Sequence, residues 1–191
     1  MKVLIACEYS GIVRSAFQKR GHDAWSCDIL PTEIPGNHIQ DDVLKHLDNG
    51  WDLMIAHPPC TYLTNAASHI LWRGKKLNID RFKKGQTAAK FFKKLYDANI
   101  PQIVIENPIP SKAFGLPKYN QIINPNQFGH KVSKRTCLWL KNVEKLKATE
   151  IVKDYVVFEY YNPPEMNSKN RGKIRSQFWS GIAEAMAEQW S

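Results

Sequence analysis

The chain has 191 residues, 43% apolar and 24% charged, which is the composition of one ordinary globular domain with a real core. Lysine and arginine outnumber aspartate and glutamate by 27 to 18, a formal charge of +9 that favours contact with phosphates. No apolar run is long enough to span a bilayer, the first residues turn acidic too soon for a signal peptide, and the four cysteines form no CxxC pair. A cytoplasmic protein with no membrane partner, no disulfide scaffold and no bound metal is therefore the expectation.

In chain order, residues 2–7 (KVLIAC) form a short buried strand that opens into Glu8-Tyr9-Ser10-Gly11 and a helix over 12–19. Gly21 ends that helix, and 22–27 is the second strand, with Asp28 at its end. Asp42 precedes a short helix over 43–47. The third strand, 51–56, halts at Pro58-Pro59, and Cys60 follows. A helix is predicted over 82–98, with Asp80 near its cap. A fourth strand, 102–106, ends at Glu106-Asn107-Pro108. The last third is more β-like, with 136–140 and 155–159 expected as an antiparallel edge pair, a loop over 162–172 and a closing helix over 181–190. Strands alternating with helices predict an α/β fold with a mostly parallel sheet and a short antiparallel C-terminal edge, in a single domain over 1–191.

Ligands of open α/β sheets bind beyond the carboxyl ends of the strands. That edge collects Glu8-Tyr9-Ser10-Gly11, Asp28, Asp42, His57-Pro58-Pro59-Cys60 and Glu106-Asn107. A glycine entering a helix and an acid ending the second strand suit a nucleoside-bearing ligand. Two prolines restrict how Cys60 is presented, and Glu106 is a carboxylate at the end of an apolar strand. Cysteine beside an acid is the minimum for attack on an electron-poor ring, while a buried cysteine and a capping glutamate explain the same spacing. Basic residues concentrate between Arg73 and Lys94, where Asp80 is the one acid, and again over 130–134 and 167–175. The first cluster suits a phosphate backbone, with Trp72 and Phe82 as candidate stacking residues, or is simply a solvated helix face.

These motifs, in this order, resemble the DNA cytosine-5 methyltransferases, and the chain is more similar still to small methyltransferase-like proteins of phages and prophages. The resemblance implies a Rossmann-like methyltransferase fold and S-adenosylmethionine as cofactor. Tyr9, Ser10, Gly11, Asp28, Asp42 and Pro58 are the implied cofactor residues. Cys60 corresponds to the nucleophile that adds to C6 of cytosine, Glu106 to the acid on the ring edge, and Lys134 or Arg135 to the basic motif. Pro59 and Asn107 correspond to substrate contacts. Val13 and Arg14 stand where the family has a second glycine, Thr61 where it commonly has glutamine, and Pro108 where it has valine. Only residues 141–174 occupy the place of a target-recognition domain, too few for an independent unit. The implied substrate is cytosine in DNA, single strands included, or a free pyrimidine nucleotide, with recognition supplied by a partner subunit or a homodimer. A non-catalytic phage protein that binds cofactor or DNA is the alternative. An amino-directed methyltransferase fits less well, because His57 and Cys60 flank the Pro-Pro pair.

Overall fold

A computed structural model describes residues 1–158 and 178–191. In chain order the elements are β1 (Lys2–Ala6), α1 (Ile12–Lys19), β2 (Asp23–Asp28), β3 (His38–Gln40), β4 (Leu53–Ala56), a helical turn α2 (Ser68–Leu71) and a small hairpin of β5 (Trp72–Arg73) and β6 (Lys76–Leu77). There follow α3 (Ile79–Tyr96), β7 (Gln102–Pro108), β8 (Gln121–Ile123), β9 (Val132–Ser133), β10 (Thr136–Lys141), β11 (Val156–Val157) and α4 (Ser180–Gln189). Seven strands make one sheet in the order β3-β2-β1-β4-β7-β10-β8. β1 pairs in parallel with β2 and β4, and β4 with β7, while β10 runs antiparallel to both β7 and β8. This is the α/β architecture expected, a Rossmann-like sheet with one reversed strand near its C-terminal edge.

The parallel strands are apolar on both faces because helices cover both. Val3, Ile5, Leu53, Ile55, Val104 and Leu138 face one side, where α1 and α4 close over them. Their alternates Leu4, Ala6, Met54, Ala56, Ile103, Ile105 and Trp139 face the other, against Ala89, Phe92 and Leu95 of α3. Trp139 is fully buried, meets Phe92 edge-on at 5.0 Å, and donates its indole N–H to the Pro117 carbonyl at 2.8 Å. The large ring thus fills the layer without an orphaned donor.

Several local expectations are corrected. The predicted pair of 136–140 with 155–159 does not form: β10 sits between β7 and β8, and Val156–Val157 pairs in parallel with Val132–Ser133. The unbroken apolar run of β10 needs two neighbours, which an edge position cannot provide. The helix predicted over 82–98 begins at Ile79, and its cap is Asn78, whose side chain accepts from the Arg81 amide at 3.1 Å; Asp80 lies in the first turn. The segment 43–47 makes only a 3-10 turn over Val43–Lys45. Strand β7 runs on through Pro108 rather than stopping at Glu106, since in its antiparallel register with β10 Pro108 lies opposite Thr136. Residue 159, the predicted loop over 162–172 and the basic cluster over 167–175 lie outside the described residues.

Gly181 explains how α4 packs closely on the segment of Phe128 and His130. A Cβ there would lie 2.0 Å from the Phe128 carbonyl oxygen, and the Gly181 amide donates to His130 Nε2 at 3.0 Å. Alanine would gain about 1 kcal/mol in helix propensity, but the backbone clash exceeds that gain. Gly181→Ala is expected to destabilise the fold by about 1–3 kcal/mol, read as a lower urea midpoint with unchanged slope.

Candidate active site

The loop after β1 turns on Cys7, at φ 58, whose amide and that of Glu8 both donate to the Cys27 carbonyl, at 2.8 and 3.3 Å. Glu8 is buried, and its carboxylate accepts from the amides of Val13 (2.7 Å) and Arg14 (3.2 Å) and from the Ser10 hydroxyl (3.2 Å). It thereby satisfies the open amides at the positive end of α1. Gly11 precedes the helix at φ 74, and a Cβ there would meet the Arg14 guanidinium at 2.6 Å.

Arg14 itself is fully buried. Its guanidinium donates to the Ser26 hydroxyl (3.0 Å), the Thr32 hydroxyl (3.2 Å) and the carbonyls of Ile34, Pro35 and Asn37, so one side chain pins the loop between β2 and β3. Sequence reading noted Arg14 only as a departure from a glycine; an arginine inside an otherwise apolar helix face was the available signal. Asp28 ends β2 and accepts the Leu30 amide at 2.9 Å. Asp42 is exposed and caps the following turn through the Leu44 amide at 3.0 Å.

These acids act together. The Cys7 thiol is pushed far above its ordinary value by burial first and then by Asp28, Cys27 and Asp42, which places both aspartates around the first loop. Glu8 and Glu106 line one cavity in a protein of net charge +9. Tyr9 and Ser10 line the same cavity at this loop, and Gly11 and Pro58 are buried.

On the catalytic side, the loop after β4 is held from several directions. The buried Asn107 amide donates to the Pro58 carbonyl (2.8 Å), Arg81 donates to the Thr61 carbonyl (2.7 Å), and the Leu63 and Thr64 amides donate to the Cys60 carbonyl at 2.9 and 3.1 Å. Pro59 is exposed and Cys60 half-buried. Register on the sheet puts Glu106 opposite Leu138 and beside the end of β4. His57 Nδ1 lies 3.2 Å from Glu106 Oε2. A carboxylate can only accept, so Nδ1 carries the proton, and in the neutral ring Nε2 is left with its lone pair. Nε2 is buried without a hydrogen-bond partner, and the Phe178 ring packs 4.6 Å from the imidazole. A cavity of about 60 Å³ joins the two halves of the site, lined by Cys7, Glu8, Tyr9, Ser10, His57, Glu106 and Phe178.

The Cys60 thiol is pushed up by burial first and by the charge of Glu106 next, and is drawn down by Lys134. Cys60 therefore feels the charges of both Glu106 and Lys134, and the Lys134 ammonium lies 4.6 Å from the Phe158 ring centroid. Arg135 is exposed and its charge acts on Cys137, whose thiol burial pushes up to about 12. Among the described residues no group of three or more His, Cys, Asp or Glu side chains could hold a metal, and no helix is long and apolar enough to cross a membrane.

No protein-family model matches the chain, and no curated protein matches it. Three solved structures are similar at 16% identity each. A DNA modification methyltransferase encoded within a prophage of E. coli aligns over 72% of this chain and 45% of its own, with TM-score 0.42. An rRNA methylase from Escherichia coli aligns over 72% and 55% (TM-score 0.38), and the Entamoeba histolytica methyltransferase EhMeth over 78% and 57% (TM-score 0.46). The chain spans about half the length of these proteins. They are distant likenesses, and no residue assignment rests on them.

The charge arrangement around Cys60 makes a direct prediction. A raised thiol pKa means little thiolate at neutral pH, so alkylation by iodoacetamide should accelerate only as the medium turns alkaline. Glu106→Gln removes the repulsive charge and should move the midpoint of that profile to lower pH; Lys134→Ala should move it higher. Mass spectrometry of the Cys60 peptide against pH reads both shifts.

Proposed function

We propose that this chain is an S-adenosylmethionine-dependent methyltransferase that acts at C5 of cytosine through a covalent adduct of Cys60 at C6. The reading is supported most by Cys60, which follows the strand end next to that of Glu106 and whose thiol feels the charges of both Glu106 and Lys134, while Glu106 shares a cavity with Glu8 of the first loop. Asp28 binds the ribose diol and Asp42 the adenine amine, while Tyr9, Ser10, Gly11 and Pro58 shape the pocket. What the cofactor would supply when bound is a methyl group on a cationic sulfur for C5, made nucleophilic by addition of Cys60 to C6; loss of the C5 proton to a base then restores the ring and breaks the Cys60–C6 bond, which returns Cys60 as thiolate.

The protein's own residues do the rest. Cys60 is mostly a thiol in the empty site, and Lys134, with Arg135 further out, favours its conversion to the nucleophilic thiolate. Glu106 holds the ring edge at N3 and the exocyclic amine, with Pro59 and Asn107 framing the loop against the base. His57 fixes the Glu106 carboxylate from behind. Once the ring neutralises or engages Glu106, its repulsion of the thiolate falls, so substrate entry itself promotes the nucleophile.

Incubation with radiolabelled S-adenosylmethionine and single-stranded DNA, duplex DNA or dCMP, followed by nucleoside analysis, tests the reading. Label is expected at C5 of cytosine, and Cys60→Ser should cut transfer by at least about 10³-fold, the scale of losing a covalent nucleophile, with an unchanged melting curve. Label on the exocyclic amine, or activity surviving in Cys60→Ser, would sink it. Separately, Asp28→Ala is expected to weaken S-adenosylmethionine binding by about 10-fold or more in calorimetry, the cost of a charge-assisted hydrogen bond.

A further inference from the structure

The outer side of the nucleophile loop carries a second concavity. A groove of about 400 Å³ is lined by Pro59, Tyr62, Lys84, Thr87, Ala88 and Phe91. Positions 84, 87, 88 and 91 follow the helical i, i+3, i+4, i+7 spacing, so they form one stripe of α3. It is not the stripe that builds the core, which is Gly85, Ala89, Phe92 and Leu95. Tyr62, Ala88 and Phe91 remain half-buried, and Pro59, Lys84 and Thr87 are exposed.

Two cations flank the Tyr62 ring: the Arg81 guanidinium at 5.1 Å and the Lys84 ammonium at 5.8 Å from its centroid. Arg81 is also anchored to the Thr61 carbonyl at 2.7 Å, so its charge is held in place rather than left to wander. None of the six lining residues is acidic. The groove therefore offers aromatic and apolar surface on its floor and positive charge on its rim, the pairing by which proteins hold unpaired bases and the phosphates that join them. Trp72 and Phe82 do not contribute: Phe82 stacks on Phe114 at 5.8 Å, and Trp72 belongs to the separate hairpin.

We propose that this groove binds the nucleotide adjoining the target base in a single-stranded nucleic acid, with the base against Tyr62 and Phe91 and its phosphate between Arg81 and Lys84. Pro59 lines the groove and Cys60 is the next residue, with Cα atoms about 3.8 Å apart. A strand seated here presents its neighbouring base to the thiol. A base in a duplex has both faces already stacked and has none to give the floor. An acidic peptide would satisfy the rim but leave the aromatic floor without a partner. The proposal deepens the methyltransferase reading and rests on it for the meaning of "target base", but not for binding.

Fluorescence anisotropy with a short labelled oligodeoxycytidine, without methyl donor, tests it. The single strand is expected to bind more tightly than the same sequence as a duplex. Tyr62→Ala and Lys84→Glu should each weaken it about 10-fold, within the range of one lost base stack. Tyr62→Phe should restore most of the affinity, and Thr87→Trp, which fills the groove from an exposed helix position, should abolish binding without removing a contact. Lys19→Glu changes net charge as much as Lys84→Glu but lies on α1, across the sheet, and should have no effect. Tighter duplex binding, wild-type affinity in Tyr62→Ala or Thr87→Trp, a loss in Lys19→Glu equal to that in Lys84→Glu, or equal competition by polyglutamate would each overturn it. Oligonucleotide binding that depends on Tyr62 in a protein that transfers no methyl group would leave the groove standing and remove the chemistry.

Discussion

The Glu8 carboxylate, buried at the start of α1, is the contact from which the geometry of the site follows. A charge out of water must be compensated, and the Val13 and Arg14 amides at the positive helix end supply that compensation. The same contact sets the phase of α1 and so turns Arg14 inward, where its guanidinium gathers the loop that follows Asp28. Burial lowers the Arg14 pKa, and the charge of Glu8 opposes that fall. A further consequence is chemical. The helix end that commonly receives an anionic ligand is already filled by the protein's own carboxylate.

On the other side of the site, the same sign of charge works against the nucleophile. Glu106 raises the Cys60 thiol while Lys134 lowers it. A resting thiol is less exposed to oxidation and to adventitious electrophiles than a standing thiolate.

Much of this was legible in the sequence where a local pattern had one physical cause. Apolar runs stopped by polar residues or prolines located β1, β2, β4 and β7, and the carboxyl-edge rule then gathered Glu8, Asp28, Asp42, Cys60 and Glu106 before any coordinates. What stayed hidden depended on partners distant in the chain. The short β3 and β8 carry too few residues for periodicity to register, and the neighbours of β10 are a matter of sheet order, which no local pattern encodes. The choice between Lys134 and Arg135 turned on a single residue of register before β10. Tyr62 gave no sequence signal, because its meaning comes from Arg81 and Lys84, about twenty residues on, folding back over it. His57 could be read as part of the Pro-Pro motif, but its contact with Glu106 crosses from one strand end to the next.

The alternation of side chains along the sheet separates two apolar layers, with α1 and α4 on one face and α3 on the other. α1, which follows the first loop, belongs to the first layer, and α3, which borders the loop of Pro59 and Cys60, belongs to the second. Substitutions that are well separated and share no partners act nearly additively. Over evolutionary time, then, residues on the outer stripe of α3 can be exchanged one by one without a matching change beneath α1. Such a fold can change the surface it presents beside α3 while the layer beneath α1 is inherited intact.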